Sequence, residues 1–353
     1  MTVPPGSTIG IVGGGQLGRM LSTAAARLGY KSHIFDPHER PCAADVAAAF
    51  TRAEFDDRSA LERFGAAVDV ATYEFENLAA EPLELLGDKL RPGTRSLKIA
   101  QDRGTEKQFI EATGARVAPW RAVASLDQVC DAFTELGSPI VLKTRRWGYD
   151  GKGQAWIHSE RDCAGAWRAI GEEPAVAETA VDFLAEFSVI VARWADGRHA
   201  FWDSAQNEHG GGILRRSTVP CSDACAVQVA EAREAALRIA EALGHVGVLT
   251  VEFFASADGP LVNEIAPRVH NSGHWTIEGA ITSQFEQHIR AICDLPPGPT
   301  DLVGSGAVMD NLIGEDVNRW PELVATPGLH VHIYDKGEAR PGRKMGHVTK
   351  VER

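Results

Sequence analysis

The stretch Thr8-Ile-Gly-Ile-Val12, the turn Gly13-Gly-Gly-Gln-Leu-Gly18 and then Leu17, Met20, Leu21, Ala24, Ala25 and Leu28 at helical spacing leave the start of this chain few folds to choose from. An apolar strand that turns within a few glycines into an amphipathic helix is the first half of a βαβ unit. Gly29 ends the helix, Ser32-His-Ile-Phe35 supplies a second strand closed by Asp36-Pro37, and Val68-Asp-Val-Ala-Thr-Tyr73 adds another segment of strand type. Strands separated by helices predict a parallel, doubly wound sheet. Gly13-x-Gly15-x-x-Gly18, with Asp36 ending the next strand, also has the spacing and context of a dinucleotide fingerprint. Its glycines let backbone amides approach an anion at the positive end of the helix. Any tight strand-to-helix turn in such a fold wants glycines too, so a nucleotide cofactor and a general anion-binding turn stand level at this point.

Around Arg91-Pro92-Gly93 the alternation weakens, and Thr105 opens a helix that runs to Ala112 and stops at Gly114. Beyond Pro139 strands follow strands. Pro139-Ile-Val-Leu-Lys143 and Gln154-Ala-Trp-Ile157 are joined by a glycine-rich loop, and Phe187 to Ala192 is another strand. An alanine-rich helix from Ala226 to Leu243 precedes strands at Val246 to Phe254 and Pro260 to Ile265. That grammar is α+β. Pro296-Pro297-Gly298-Pro299 reads as a linker to a short β-rich tail, so the chain divides near 1–104, 105–295 and 296–353. Lys+Arg number 36 against 48 Asp+Glu, a net charge of -12, which argues against broad nucleic-acid binding but leaves room for a small anionic ligand. No apolar run approaches the roughly 18 residues of a membrane span, and Met1 to Ser7 lacks the regions of a signal peptide. Six cysteines without a C-x-x-C predict neither a disulfide framework nor a zinc module. A cytoplasmic protein without membrane or nucleic-acid partners is the expectation.

Lys143 closes an apolar strand, and Gly148-Tyr-Asp-Gly-Lys-Gly-Gln154 starts five residues later. A glycine-rich hairpin loop can fold over polyphosphate and donate backbone N–H groups, with a nearby lysine supplying charge. No helix begins at its end, so it resembles a kinase flap more than a P-loop. An ordinary hairpin with a snorkelling lysine at its base is the plain alternative.

Glu252 and Glu264 are the most informative pair. A three-residue turn, Ala257-Asp-Gly259, with Gly259 left-handed, pairs Ser256 with Pro260 and sets Glu252 opposite Glu264. A two-residue turn would send them to opposite faces. Carboxylates about 5 Å apart by their Cβ atoms repel unless a cation lies between them. Mg2+ held by two carboxylates plus substrate phosphates answers that repulsion. Solvent-facing glutamates on an edge strand are the alternative, against which Val251, Phe253, Val262 and Ile265 provide apolar surroundings.

Ala266-Pro-Arg-Val-His-Asn-Ser-Gly-His-Trp275 concentrates Arg268, His270, Asn271 and His274, groups that are costly to bury without partners. Planar guanidinium, imidazole and amide donors suit an oxyanion such as bicarbonate. A metal site lacks any H-E-x-x-H pattern, and a loop packing two domains is the bland reading. Lys336, Arg340, Arg343, Lys344 and His347 form a basic cluster in an acidic chain, either a solvated charge run or a phosphate-binding edge. His330 and His332 read as structural, and Cys221 with Cys225 as inert thiols.

Gly13-Gly-Gly-Gln-Leu-Gly-Arg-Met20, Thr72-Tyr-Glu-Phe-Glu-Asn77, Gly148 to Gln154, Ala266 to Trp275 and Pro341-Gly-Arg-Lys-Met-Gly-His347 stand in one order along the chain. In all of them the chain resembles, from end to end, the N5-carboxyaminoimidazole ribonucleotide synthases, the ATP-grasp carboxylases of purine biosynthesis. The resemblance implies an ATP-grasp fold combining α/β and α+β parts. Residues 1–104 would form a Rossmann-like domain holding the acceptor substrate rather than NAD, and residues 105–295 two lobes clamping ATP. Residues 296–353 would form a small C-terminal β-rich domain, and the protein a homodimer. By position it implies ATP contacts at Arg103, Lys143, Gly148, Tyr149, Asp150, Gly151, Lys152, Gly153, Gln154, Glu178, Glu186 and His209. Glu252 and Glu264 would hold Mg2+, for which Mn2+ could substitute, with Asn263 beside them. Arg268, His270 and Asn271 would surround bicarbonate. Gln16, Glu74, Tyr149, Lys336, Arg343 and Lys344 would bind 5-aminoimidazole ribonucleotide, Lys336 and Arg343 at its phosphate. Asn207-Glu-His-Gly-Gly-Gly-Ile213 departs from the pattern, with glycines where the family often has Arg-Asp and Gln206 in place of a glutamate. The rival readings are a formate-using ligase of the same superfamily, a non-catalytic nucleotide-binding module, and a dehydrogenase supported by Gly13-x-Gly15-x-x-Gly18 alone.

Overall fold

The computed structural model describes residues 2–148 and 153–353. The N-terminal sheet holds β1 (Thr8–Val12), β2 (Lys31–Asp36), β3 (Ala49–Arg52) and β4 (Val70–Tyr73), parallel throughout and ordered β3-β2-β1-β4. The helix Gln16–Arg27 crosses from β1 to β2 and buries Leu17, Met20, Leu21, Ala24 and Ala25, the stripe its spacing predicts. Strand β3 is the element the sequence reading lacks. Its four residues are half or fully exposed, so no apolar alternation marks them.

A second sheet, antiparallel, contains β5 (Trp120–Val123), β6 (Ile140–Thr144), β7 (Gln154–Ile157) and β8 (Ala175–Thr179) in the order β5-β8-β6-β7. The remaining nine strands form one large sheet. They are β9 (Phe183–Arg193), β10 (His199–Phe201), β11 (Ala205–Gly210), β12 (Ile213–Val219), β13 (Gly247–Ser256), β14 (Gly259–Ala266), β15 (Gly306–Ile313), β16 (Leu329–Ile333) and β17 (Lys344–Glu352). Their order is β14-β13-β9-β11-β12-β15-β17-β16, with β10 beside β9. The β-rich C-terminal strands thus extend this sheet through β12 and β15, where Arg216 lies opposite Asp310, instead of closing on themselves.

The helix Val229–Leu243 lays Ala232, Ala235, Ala236, Ile239, Ala240 and Leu243 against β9 and β13. Small alanines let the helix approach closely, while Phe187, Val189, Leu249, Val251 and Phe253 fill the layer beneath. Each such large side chain contributes about 1.5–3 kcal/mol by leaving water. The helix begins at Val229 rather than Ala226, after a separate short turn at Asp223–Ala226.

The β13–β14 hairpin differs from the expected one. Its turn has two residues, Ala257 and Asp258, with Ser256 opposite Gly259. On a regular ladder that turn would put Asn263 opposite Glu252 and send Glu264 to the other face. A β-bulge intervenes: Phe253 faces Val262, and the next pair is Glu252 with Glu264. The carboxylates face each other after all, by a different route from the three-residue turn.

His288, on the helix Gln284–Ile292, fastens the N-terminal sheet to the large one. Its Nδ1 accepts the Val248 N–H at 3.0 Å, which leaves Nε2–H to donate to Thr72 Oγ1 at 2.9 Å. Burial, and then the neighbouring His245, push this imidazole down to about 3. In the unfolded chain the same ring takes up a proton near pH 6.5. Between those values the unfolded state binds more protons than the folded one, so stability falls as pH falls, by at most about 1.4 kcal/mol per pH unit from this group. Urea unfolding of His288→Asn from pH 7 to 4.5 should show a protein less stable at neutral pH whose stability declines less steeply with acid than wild type. An unchanged slope would contradict a neutral buried ring.

Candidate active site

The glycine-rich turn is already occupied from within. Gly15 N donates to Glu74 Oε1 at 2.5 Å and Gly18 N to Glu74 Oε2 at 2.7 Å, while Gly14 N donates to Asp36 Oδ2 at 2.8 Å. Glu74 follows the end of β4, so the neighbouring strand supplies the anion at this helix N-terminus. A Cβ at Gly15 would stand 2.6 Å from Glu74 Oε1, and one at Gly13, whose φ is +102°, 2.5 Å from Glu74 Cγ. These glycines make room for a carboxylate of the protein rather than for a pyrophosphate, which removes the only support for a dehydrogenase. Burial pushes the Glu74 carboxyl up, and the Gly18 and Gly15 amides only partly offset that.

Beside Glu74, Lys336 Nζ donates to Gln16 Oε1 at 3.0 Å, joining the basic C-terminal segment to the first helix. Burial, followed by the positive charge of Arg343, holds the Lys336 ammonium below the usual lysine range. Arg343 itself donates to the Glu338 carbonyl at 3.4 Å on the surface. Gln16, Glu74, Phe75, Arg268, His270, Asn271 and Lys344 line a cavity of about 190 Å3.

A second cavity, of about 340 Å3, opens between the small antiparallel sheet and the large one. Val141 and Lys143 of β6 and Gln154 and Trp156 of β7 form one wall. Phe183 and Glu186 of β9, His209 of β11, Glu252 and Phe254 of β13, and Asn263 and Glu264 of β14 form the other. The bulge explains how consecutive residues, Asn263 and Glu264, both reach the cavity. Phe183 stacks on Phe254 with ring centroids 4.8 Å apart, giving this cavity an apolar end. Lys143, Arg103, His209 and the carboxylates make the other end polar.

Within it, Lys143 Nζ lies 3.1 Å from Glu178 Oε2, and Arg103 Nη1 lies 3.1 Å from Glu264 Oε2. His209 Nδ1 is 2.6 Å from Glu186 Oε2, so the altered loop still delivers this histidine to the cavity. Burial opposes its charge, but the hydrogen bond and charge of Glu186 prevail and raise the imidazole above its ordinary value. Burial and then Glu264 push Glu252 up to about 7. Asn263 Oδ1 is buried with no hydrogen-bond partner. Among the described residues no group of three or more His, Cys, Asp or Glu is arranged to hold a metal. Two carboxylates and an orphaned amide oxygen instead suit a hard cation that takes its other ligands from a substrate.

A third cavity of about 140 Å3 connects the other two. It shares Arg103 and Glu264 with the larger one and Arg268, His270 and Lys344 with the first. Arg268 forks onto Glu76, with Nε on Oε2 and Nη2 on Oε1 at 3.0 Å. His270 Nδ1 takes its hydrogen bonds from Ser272, at 2.8 Å from the hydroxyl, so Nε2 carries the proton toward Glu252 Oε1 at 3.1 Å. Burial, and next the charges of Arg268 and Lys344, hold His270 well below the usual histidine range, which keeps the ring neutral. Asn271 and Asn311 exchange amide hydrogen bonds at 2.9 and 2.6 Å.

Gly148 lines the junction cavity, where its carbonyl accepts from Arg103 Nη2 at 3.4 Å, and the Gly153 carbonyl accepts from Thr144 N at 2.8 Å. Tyr149, Asp150, Gly151 and Lys152 lie outside the described residues. The sequence reading missed Glu76, Glu106, Lys107 and Asn311. Glu106 and Lys107 share the buried stripe of the helix Arg103–Ala112 with Ile110, and charged residues on such a stripe are the signal that was available. Glu106 accepts the Ile265 N–H at 2.7 Å, and burial and then Glu264 push it up to about 8.

A nucleotide-sized cavity clamped between a small antiparallel sheet and a large one, lined by lysine, arginine and paired glutamates, defines an ATP-grasp ligase. The ATP-grasp domain matches residues 108–285, the ribonucleotide synthetase preATP-grasp domain residues 6–101, and the phosphoribosylaminoimidazole carboxylase C-terminal domain residues 307–353. The chain belongs to the family of N5-carboxyaminoimidazole ribonucleotide synthases. The synthase of Brucella melitensis is 49% identical over 357 residues, covering 99% of this chain and 98% of its own. The crystal structure of the Staphylococcus aureus synthetase complexed with ADP superposes with a TM-score of 0.94 at 39% identity, over 99% of this chain and 94% of that one. The Aspergillus clavatus synthase, in complex with ADP and 5-aminoimidazole ribonucleotide, gives 0.91 at 29% identity, over 98% and 93%.

Gly13→Ala tests the internal anion. A left-handed non-glycine residue costs about 1–2 kcal/mol and overpacking about 1–3. Thermal and urea unfolding should show a loss of about 3 kcal/mol from the two costs together. A variant as stable as wild type would contradict the close approach of Glu74.

Proposed function

We propose that the three linked cavities hold ATP, bicarbonate and 5-aminoimidazole ribonucleotide in that spatial order. The chain is an ATP-dependent ligase that carboxylates the ribonucleotide to N5-carboxyaminoimidazole ribonucleotide in purine biosynthesis, with ADP and phosphate formed. The observation that carries the assignment is the run of shared residues. Arg103 and Glu264 belong to both the large and the junction cavities, and Arg268, His270 and Lys344 to both the junction cavity and the one beside Gln16 and Glu74. Reactants in neighbouring cavities are then held at contact distance, which removes much of the entropic barrier to their meeting.

The adenine lies against Phe183, Phe254, Val141 and Trp156, and the phosphates run toward Lys143, Arg103, Gln154 and His209. Both carboxylate oxygens of Glu178, which itself borders the large cavity, face lysines, and Glu178 pairs with Lys143 there. Glu186 pairs likewise with His209. Mg2+, or Mn2+ in its place, would be held by Glu252 and Glu264 with Asn263 Oδ1 beside them. Bound there, it supplies charge neutralisation at the phosphates.

Bicarbonate sits between Arg268 and His270, with Asn271 on the side of the neighbouring cavity, and attacks the γ-phosphorus. The bond to the ADP oxygen breaks as the new P–O bond forms, giving carboxyphosphate. Lys143, Arg103 and the Arg268 guanidinium stabilise charge on the transferring group. Neutral His270 donates through Nε2–H and does not compete for the proton of bicarbonate. The exocyclic amine of the ribonucleotide then attacks the carboxyl carbon, the carbon–oxygen bond to the phosphate breaks, and the departing phosphate takes the proton the amine loses, with Gln16, Glu74 and Lys344 holding the acceptor and Lys336 and Arg343 facing its phosphate.

A homodimer is the assembly we propose, supported by an apolar cavity of about 130 Å3 that Met20, Ile277 and Ile333 help to line. The cytoplasm is the proposed location, supported by six unpaired cysteines, which suit a reducing compartment. No helix among the described residues is long and apolar enough to cross a membrane.

ADP release should require bicarbonate and rise on adding the ribonucleotide, and formate should not replace bicarbonate. Arg268→Ala should lower turnover by about 10²–10³ while nucleotide binding persists, because its guanidinium acts on charge formed during transfer. ADP release indifferent to bicarbonate would defeat the proposal.

A further inference from the structure

Lys107 lines none of the three cavities, yet it is a lysine only 1% exposed. From the inner stripe of the helix Arg103–Ala112 its Nζ lies 3.2 Å from Glu178 Oε1, while Lys143 Nζ lies 3.1 Å from Glu178 Oε2. Glu178 is itself 4% exposed. Two ammonium groups thus share one carboxylate, and the trio carries one net positive charge. Lys143 borders the large cavity and Lys107 does not.

The asymmetry has a consequence for binding. A buried carboxylate facing a single lysine holds it firmly, because pulling the lysine away leaves an uncompensated charge in a low-dielectric site. A phosphate entering the cavity would have to compete with that carboxylate for Lys143. With a second ammonium fixed behind it, Glu178 stays neutralised while Lys143 swings toward the cavity. We propose that Lys107 is the permanent counter-ion of Glu178, a positioning residue whose charge releases Lys143 to the phosphates of the nucleotide. This inference rests on the large cavity being the ATP site.

The test is the dissociation constant for ATP, measured by titration calorimetry on full-length wild type, Lys107→Met, Lys107→Gln, Lys107→Arg, Glu178→Gln and the double variant Lys107→Met/Glu178→Gln. Failure of wild type to bind ATP would refute the nucleotide site itself. If wild type binds, Lys107→Met should bind about tenfold more weakly or worse, the equivalent of at least one decade in Kd. Glu178 itself borders the cavity, so the double variant is compared with Glu178→Gln alone: once the carboxylate is gone, Lys107→Met should cost no more than about threefold. A lysine with a merely structural role predicts the same loss with or without the carboxylate. Lys107→Met binding like wild type, or costing as much on the Glu178→Gln background as alone, overturns the proposal. Should Lys107→Met fail to fold, Lys107→Gln and Lys107→Arg decide. The first keeps a polar contact without charge and should bind weakly, the second keeps the charge and should bind well, and equal affinities overturn the assignment.

Discussion

Buried negative charge is the condition to which the rest of this site conforms. An isolated carboxylate in a protein interior protonates rather than remain charged. The carboxylates around the cavities stay useful because each has been given a partner from inside the chain. Glu74 has the Gly15 and Gly18 amides, Glu76 has Arg268, Glu178 has Lys107 and Lys143, Glu252 has His270 and Glu264 has Arg103. Where compensation is weakest the strain shows, in Glu252 pushed to about 7 and Glu106 to about 8. An incoming anion therefore meets cations that already have partners, and binding is an exchange of partners. Groups able to be replaced without exposing a bare charge set how easily that exchange occurs.

Backbone register is what brings the charges together. Glu252 meets Glu264 only because one bulge corrects the phase that a two-residue turn would impose. From β13 the sheet runs through β9 and β11, which carries His209, to β12, β15 and β17, which carries Lys344. Asn311 on β15 locks the side chain of Asn271 by a reciprocal amide pair. Residues near the C-terminus thus reach the junction cavity as part of the same hydrogen-bonded surface as the paired glutamates, where small errors in position would be costly.

Much of this was legible in the sequence, though not always for the right reason. The strand–turn–helix grammar predicted the parallel N-terminal sheet because apolar periodicity depends on local burial. The facing of Glu252 and Glu264 came from a turn that does not exist, and two differences from a regular hairpin cancelled. The glycine fingerprint was visible, but its partner was not: spacing shows that amides are free to bind an anion and cannot show that Glu74 from another strand fills them. Lys107 and Glu106 escaped notice for a related reason. A charged residue on a helical stripe looks misplaced until the residue that neutralises it is known, and that residue lies on another element.

The same pairing shows how an acidic chain can carry cavities that suit anions. A net charge of -12 repels anions at long range, but over distances beyond roughly 8–10 Å that field is screened at physiological salt. Inside the cavities, screening is weak and each cation counts for more. Lys143 and Arg103 are themselves 14% and 19% exposed at their side chains, so they offer little to a polyanion passing along the surface. A ligand gains from them only after it has entered, displaced water and taken a carboxylate's place. Selection by size and shape precedes selection by charge, and the acidic surface reinforces that order.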